Sequence, residues 1–323
     1  MTQPLGNAYT NALSRGLDWS PDFSEGDFEQ LHRDYTTYSA PGHFEIADPV
    51  PPPRGADQFR FASLMFDVRP ELLKRYRLWT NAQLKGAGLE PPLPATSPIF
   101  TIVSGHYYMT AGYDQGVVAD ILAMRARGAR KDEVGHLLAL AWFHGGNIGI
   151  NNTARLADSY MRAWDPDDDA PGLTWPDGWT ADPDVFRCGV DFSRAPEAEP
   201  LPASELQAIE DWHRRWEGEV PAYVSFLARY FPTALRTYRA RYETATDGPI
   251  PGQMIALVQV DTAGKWHCAD GVRRALHLAQ RLGIERDQAV QIVAYAQRYV
   301  GPIGMDAAVT GAEGLIERWP DPL

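Results

Sequence analysis

Apolar residues recur three and four positions apart from Phe59 to Trp164 and again from Ser204 to Trp319. Three stretches in the first half show this spacing most clearly: ELLKRYRLWTNAQL, GVVADILAMRARG and KDEVGHLLALAWFHGG. The spacing places apolar side chains on one face of a helix. The runs IFTIVSG and MIALVQV are rich in β-branched residues, but a short apolar run also suits a buried helix. The pattern therefore predicts an all-α protein.

The helical pattern occurs twice along the chain. The sequence GVVADILAMRARGARKDEV begins at Gly116 and matches GVRRALHLAQRLGIERDQA, which begins at Gly271, 155 positions later (271 − 116). Upstream, PELLKRYR matches PTALRTYR at a step of 162 (232 − 70). Repeats of this kind usually correspond to repeated structural units. With 323 residues, the chain is long enough for two domains, each with its own core.

The composition of the segments outside the repeats sets the predicted domain bounds. Residues 1–58 contain PVPPPRG, which favours extended backbone and predicts an arm packed over the body. The stretch 165–202 is dense in Asp, Pro and Gly and lacks periodicity, which predicts a linker, although its aromatic residues suggest that it packs on something. We therefore expect an N-terminal arm (1–58), a first repeat (59–164), a linker (165–202) and a second repeat (203–323).

Charge and cysteine content narrow the class of protein. A formal net charge of −12 argues against nucleic acid and anionic membranes as partners, because both bind clustered Lys and Arg. Only two cysteines, Cys188 and Cys268, are present, so no disulfide framework is expected. The N-terminus lacks an apolar stretch of signal-peptide length, and no 18-residue apolar run occurs. We expect a soluble, cytoplasmic protein with a small-molecule substrate.

Each repeat contains a segment that carries a family resemblance. These segments are Tyr113-Asp-Gln-Gly-Val-Val-Ala-Asp120 and Cys268-Ala-Asp-Gly-Val-Arg-Arg-Ala275, each of which runs into a helix that ends at a glycine. With the helices KDEVGHLLALAWFHGGNIGIN and RDQAVQIVAYAQRYVGPIGMD that follow, they resemble the carboxymuconolactone decarboxylase and alkylhydroperoxidase D-like superfamily. The resemblance implies a small all-helical domain in each repeat and a homo-oligomeric assembly.

The peroxidase motif of that superfamily, Cys-x-x-Cys-x-x-x-His, is not present in either repeat. Tyr113, Gly116 and Asp120 stand at its cysteine and histidine positions in the first repeat, and Cys268 is the only motif cysteine in the second. A two-cysteine peroxidase needs both thiols, because the sulfenic acid formed at one is resolved by the other. The resemblance therefore points to the decarboxylase-like branch, whose members are cofactor-independent lyases using general acid/base groups.

The first repeat offers the richer set of candidate catalytic residues. His106 lies in SGHYYMTAGYDQG, where an imidazole near phenols and a carboxylate can move a proton near neutral pH. We expect His106 to be the acid/base, with Tyr113, Asp120 and His144 positioning the substrate and stabilising an enolate. The alternatives are a surface or capping histidine at His106, a packing role for His144, which matches Tyr299, and a solvent-facing Asp120.

Further polar residues are candidates for binding or redox chemistry. We expect substrate contacts from Tyr107, Tyr108, Asn147 and Asn151, although asparagines after Gly-Gly are also common in turns. The candidates in the second repeat are His267, Cys268 and Asp270. A cysteine at a helix N-terminus can be nucleophilic, whereas a lone cysteine is often an inert small hydrophobe, so both roles stay open for Cys268.

The sequence contains no His-x-x-x-His, no Cys-x-x-Cys and no glycine-rich phosphate loop, and we expect neither a metal nor a cofactor. The leading hypothesis is a cofactor-independent lyase, decarboxylase or isomerase that acts on a small oxygenated cyclic acid, lactone or diketone. The alternatives are a catalytically silent binding or scaffold protein and a one-cysteine redox protein that uses Cys268.

Overall fold

The computed structural model describes residues 17–36, 60–86, 98–164, 170–193 and 201–320. In these ranges the regular secondary structure is helical, and no strand is present. The all-α prediction is therefore confirmed for this part of the chain. IFTIVSG and MIALVQV, the two β-branched runs, lie within helices. Most of the predicted arm and the ends of the predicted linker lie outside the described residues.

Within the described ranges, six helices lie before residue 170 and seven after it. The first six are α1 (Glu25–Thr36), α2 (Arg60–Val68), α3 (Pro70–Gly86), α4 (Ile99–Ala111), α5 (Asp114–Ala126) and α6 (Lys131–Ala163). The other seven are α7 (Ala203–Trp216), α8 (Ala222–Tyr230), α9 (Pro232–Thr246), α10 (Gly252–Lys265), α11 (Ala269–Arg281), α12 (Arg286–Tyr295) and α13 (Gln297–Ala312). Short 3₁₀ turns occur at Pro183–Phe186 and Ile316–Arg318. None of the described helices has the length and apolar character needed to cross a membrane.

The helix bounds recur with the spacing of the sequence repeat. Helices α5 and α11 both contain 13 residues and begin 155 positions apart (269 − 114). Helices α6 and α12 begin at the same step (286 − 131). A glycine with positive φ then kinks the chain at Gly146 (φ 70°) and at Gly301 (φ 64°), again 155 positions apart (301 − 146). The repeated sequence therefore corresponds to a repeated order of helices.

The turn before α5 and the turn before α11 have the same backbone conformation with different residues. Gly112 ends α4 at φ 70°, where a residue without Cβ is unstrained. In the second copy the matching residue is His267, which adopts φ 57°. A left-handed conformation at a residue with a side chain costs about 1 kcal/mol or more. The second copy thus keeps the turn at an energetic cost that the first copy avoids.

The chain forms two compact units, which we describe separately. The first unit comprises residues 1–134 and 145–176, and the second comprises 135–144 and 177–323. Helix α6 therefore contributes residues to both. The domain bounds that the sequence suggests remain a prediction.

In the first unit, α1 is fastened to α3 by a buried lysine. Lys74 of α3 is 1 % exposed, and its ammonium group donates hydrogen bonds of 2.8 Å to Asp18 and to Asp27. Beside it, Leu31, Ala62 and Leu73 form an apolar cluster that joins α1, α2 and α3. The described part of the predicted arm is thus held by an ion-pair network and an apolar contact.

In the second unit, residues 185–188 of the predicted linker pack on α7 and α9. Phe186 is 1 % exposed, and its carbonyl oxygen accepts a hydrogen bond from Arg239. The indole of Trp212 donates to the carbonyl oxygen of Val185 at 2.9 Å. Glu243 accepts a hydrogen bond of 2.8 Å from the backbone of Cys188. Side chains of the repeat therefore satisfy the backbone of this irregular segment, as a packed loop requires.

Helix α10 is the central helix of the second unit. Eleven of its 14 residues are buried, and it packs against α11, α12 and α13. A helix enclosed on nearly every side must be apolar around its whole circumference. Buried charged residues within α10 are therefore exceptional.

Candidate functional site

In the first unit, His106 and Asp120 are buried ionisable residues on neighbouring helices. His106 of α4 is fully buried, and Asp120 of α5 is 6 % exposed. The hydroxyl of Ser104 donates a hydrogen bond of 2.7 Å to the Asp120 carboxylate. A Cβ atom at Gly105 would lie 3.2 Å from the Cβ of Asp120, so the missing side chain permits the close approach of α4 and α5. His106 is therefore not a surface histidine, and Asp120 does not face solvent.

The predicted phenols lie at the junction of α4 and α5. Tyr107 and Tyr108 are half-buried, with ring centroids 6.3 Å apart. The Tyr108 ring makes an edge contact with Tyr113 at 5.1 Å. Asp114, which opens α5, forms a salt bridge with Arg155. In the first unit these phenols and carboxylates thus lie on α4, on α5 or in the turn between them, and His106 lies on α4.

The predicted asparagines occupy a different environment. Asn147 and Asn151 follow the kink at Gly146 in α6, and both are exposed. His106, in contrast, has no exposed surface. The two asparagines therefore lie at the surface, whereas the imidazole of His106 is in the interior.

The two histidines at the start of α6 lie in the second unit. The ring of His136 is held by the backbone: its Nε2 donates to the carbonyl oxygen of Ala245 at 3.0 Å, and the amide of Ile250 donates to its Nδ1 at 3.1 Å. His144 makes an edge contact with Phe143 at 5.4 Å. Although His144 keeps some accessible surface, desolvation by the surrounding protein lowers its pKa from 6.5 to about 4. His144 is therefore neutral at pH 7.

The second-copy candidates from the sequence lie on the surface. His267, Cys268 and Asp270 are all exposed where α11 begins. The carboxylate of Asp270 lies 3.4 Å from the guanidinium of Arg273, in a surface ion pair. The structure brings these three residues together at a helix end, but it does not bury them as it buries His106.

The second unit contains a buried ion pair that the sequence analysis missed. On α10, the ammonium of Lys265 lies 2.5 Å from Oδ2 of Asp261, and neither side chain has exposed surface. The other carboxylate oxygen, Oδ1 of Asp261, is buried and has no hydrogen-bond partner. Burial raises the pKa of Asp261 to about 6, and the positive charge of Lys265 opposes this rise.

Aromatic and cationic side chains from α12 and α13 surround this pair. The Lys265 ammonium lies 4.0 Å from the ring centroid of Tyr299 and 5.2 Å from that of Tyr295. The two phenol oxygens are 3.0 Å apart, and Arg298 donates a hydrogen bond of 2.8 Å to the Tyr295 hydroxyl. We call Asp261, Lys265, Tyr295, Arg298 and Tyr299 the Asp261–Lys265 cluster.

Sequence signals for this cluster exist. Asp261 and Lys265 interrupt the apolar run MIALVQVDTAGK four residues apart, so they lie on one face of the helix. Asp261 also stands 155 positions after His106 (261 − 106), at the matching place in the second copy. Comparing the two copies residue by residue would have identified the pair.

Within the described ranges, no group of three or more His, Cys, Asp or Glu side chains could hold a metal ion. No protein-family model, no curated protein and no solved structure matches this chain.

Proposed function

We propose that the protein is a cofactor-independent acid/base enzyme with two carboxymuconolactone decarboxylase-like repeats. It would act as a lyase, decarboxylase or isomerase on a small oxygenated cyclic acid, lactone or diketone. The observation that carries the proposal is the burial of an imidazole, His106, and a carboxylate, Asp120, on adjoining helices of the first unit. Buried ionisable groups are costly, and they occur most often where a protein uses them.

The proposed roles follow from the chemistry of the side chains. An imidazole has an ordinary pKa near 6.5 and can both accept and return a proton near neutral pH. In this mechanism His106 removes a proton next to a carbonyl group, and the electron pair moves onto the carbonyl oxygen. The hydroxyls of Tyr108 and Tyr113 are suitable donors for the resulting enolate, because phenols donate strong hydrogen bonds to oxyanions. In an isomerisation the proton then returns to carbon. In a decarboxylation no proton is removed first: the electrons of the breaking C–C bond form the enolate, carbon dioxide leaves, and protonated His106 gives its proton to the carbon.

A ligand screen by thermal shift tests this proposal. Cyclic keto acids, lactones and oxidised phenols are added to the wild type, to His106→Gln and to His136→Gln. The last variant is a matched control, since His136 is a buried histidine whose ring nitrogens bind the backbone. We expect one compound class to raise the melting temperature of wild type and His136→Gln in a saturable way, and to lose at least tenfold in apparent affinity with His106→Gln.

Other outcomes of the screen point to other functions. Equal stabilisation of all three proteins would exclude His106 from the site. If no compound binds, the scaffold hypothesis is favoured.

A one-cysteine redox function is the second candidate, because Cys268 is exposed at the start of α11. It predicts that Cys268 is alkylated faster than Cys188, which is partly buried and whose pKa is raised by burial. Mass spectrometry after a short exposure to iodoacetamide, with Cys268→Ser as control, measures this difference. Equal alkylation rates would argue against a redox role.

A further inference from the structure

Helix stability alone does not explain the buried Asp261–Lys265 pair. Replacing a buried ion pair by apolar residues of similar volume is often neutral or stabilising, because the desolvation of two charges offsets their attraction. Apart from Thr262, the other buried residues of α10 are apolar or glycine. A charged pair in such a helix therefore points to a role other than stability.

One oxygen of the Asp261 carboxylate can still accept a hydrogen bond. Its Oδ2 binds Lys265, whereas its Oδ1 is buried without a hydrogen-bond partner. A buried acceptor that lost its water and gained no donor is costly, and such atoms are rare in folded proteins. A ligand hydroxyl placed at Oδ1 would remove that cost.

Cationic and phenolic donors lie near the ammonium group of Lys265. The Lys265 ammonium carries three protons, so it can bind a ligand oxygen together with Asp261. Arg298 and the hydroxyls of Tyr295 and Tyr299 lie beside it. Lysine, arginine and phenol groups are the usual partners of a carboxylate oxygen, and charge assistance makes these hydrogen bonds strong. The tyrosine rings add flat apolar surface.

The first copy lacks this set of donors. At the positions that match Lys265, Tyr295 and Arg298 it has Thr110, Leu140 and Phe143. A histidine, His144, matches Tyr299. The donor set is therefore particular to the second copy.

We infer that the Asp261–Lys265 cluster is a binding site for a small cyclic carboxylate that carries a hydroxyl group on the neighbouring carbon. Asp261 Oδ1 accepts the hydroxyl proton in a hydrogen bond, and Lys265 and Arg298 bind the carboxylate. Arg298 and Tyr299 are partly exposed, whereas the ion pair is not, so the ligand enters past these two side chains. This site goes beyond the proposed chemistry at His106 and does not depend on it.

Calorimetric titration of the full chain with three related compounds tests the inference. Salicylate carries a carboxylate and an adjacent hydroxyl, benzoate carries the carboxylate alone, and benzamide carries no charge. We expect salicylate to bind at least tenfold more tightly than benzoate, and benzamide to bind more weakly than both. Salicylate binding no tighter than benzamide binding would overturn the inference.

Variants assign the binding to the cluster. Lys265→Met removes the ammonium and should weaken salicylate at least tenfold. Asp261→Asn should reduce the preference for salicylate over benzoate, because a neutral acceptor replaces a charged one. Arg273→Met, which removes a surface cation of α11, is the matched control and should bind as wild type does.

A single variant leaves one unpaired charge in the interior, which can prevent folding. A double variant that removes both charges keeps the test valid in that case. Asp261→Leu with Lys265→Met removes both charges, so the variant should fold, as circular dichroism would verify, and should not bind salicylate. Unchanged binding by the folded double variant would contradict the inference. Lys265→Met and the double variant leave His106 unchanged, so failure of the His106 proposal would not alter the result of this test.

Discussion

In the first copy the buried ionisable residue of α4 is a histidine, His106, and at the matching position of α10 the second copy has an aspartate, Asp261. One turn later the first copy has Thr110, and the second has Lys265. Around these positions the helix order, the kink glycines and the turn conformations are the same. Apolar and glycine positions therefore set the helices, and a few buried polar positions set what each copy can do chemically.

The polar side chains that accompany these buried ionisable residues also differ between the two copies. Asp120 of the first copy accepts a hydrogen bond from Ser104, and its match in the second copy is Ala275. The second copy instead holds its carboxylate against a lysine. Each copy thus balances its own buried charge locally, and substitutions at matching positions should have unequal effects.

The largest difference between the copies should come from breaking the ion pair. Lys265→Met leaves Asp261 buried without its counterion and should lower the free energy of unfolding by about 3–5 kcal/mol. Thr110→Val, the matching change in the first copy, removes one hydroxyl that donates to Tyr107 and should cost about 1 kcal/mol. Urea unfolding measures both, and equal losses would contradict the assignment of a desolvated pair.

The pH dependence of stability should reveal two opposing groups in the second unit. The pKa of Asp261 is raised from 3.8 to about 6, so its protonation stabilises the fold at low pH, and this stabilisation is lost as pH rises through 6. The pKa of His144 is lowered from 6.5 to about 4, so its contribution is present above pH 6.5 and is lost as pH falls through 4.

Replacing either Asp261 or His144 should leave the pH dependence of stability that is due to the other residue. Relative to wild type between pH 4 and 6.5, stability should rise more steeply with pH in Asp261→Asn, and less steeply in His144→Phe. The Asp261 contribution corresponds to about 3 kcal/mol over its full range, at roughly 1.4 kcal/mol per pKa unit. Thermal unfolding at several pH values measures the slopes, and parallel curves for all three proteins would refute the shifts.

The glycines after the two kinks should tolerate alanine unequally. A Cβ atom at Gly149 would overlap the backbone carbonyl oxygen of Thr110, which cannot move independently, so Gly149→Ala should cost about 1–3 kcal/mol. At Gly304 the overlap is with the side chain of Val300, and the backbone carbonyl oxygen of Gly264 is 3.5 Å away. Because a side chain can shift more readily than a backbone carbonyl, Gly304→Ala should cost less than Gly149→Ala by chemical denaturation, and a larger loss than for Gly149→Ala would contradict this packing.

The smallest effect concerns the turn before α11. His267→Gly should stabilise the protein by about 0.5–1 kcal/mol, because glycine adopts positive φ without strain. Gly112→Ala should destabilise it, since its Cβ atom would lie 2.9 Å from that of Asn152. A higher melting temperature for the first variant and a lower one for the second are expected, and a destabilised His267→Gly would show that the His267 side chain contributes to the turn.

The helical fold could be predicted from the sequence, because apolar spacing and glycine positions act locally. The sequence singled out His106 by its phenol and carboxylate neighbours, but only the structure shows that it is buried within α4. The exposure of Asn147 and Cys268 could not be predicted, because a shift of one residue turns a side chain by about 100° around the helix. Which residues face the interior depends on the rotation of the helix about its axis as well as on the order of residues in the sequence.

The Asp261–Lys265 cluster was missed for a different reason. The two charged residues are close in sequence, but Tyr295 and Tyr299 come from later helices, and only tertiary packing brings them to the ammonium group. A burial effect on the pKa of Asp261 likewise arises only in the folded chain. Pattern reasoning finds candidate side chains, but their environment has to come from the structure.

The most direct test of the account is a measurement of the Asp261 pKa in the intact protein. Titration of its side-chain carboxyl carbon by ¹³C NMR, assigned by loss of the signal in Asp261→Asn, reports the protonation of this residue alone. The buried pair predicts a midpoint of about 6. A midpoint near the ordinary value of 3.8 would show a solvated carboxylate and contradict the buried polar centre of the second copy.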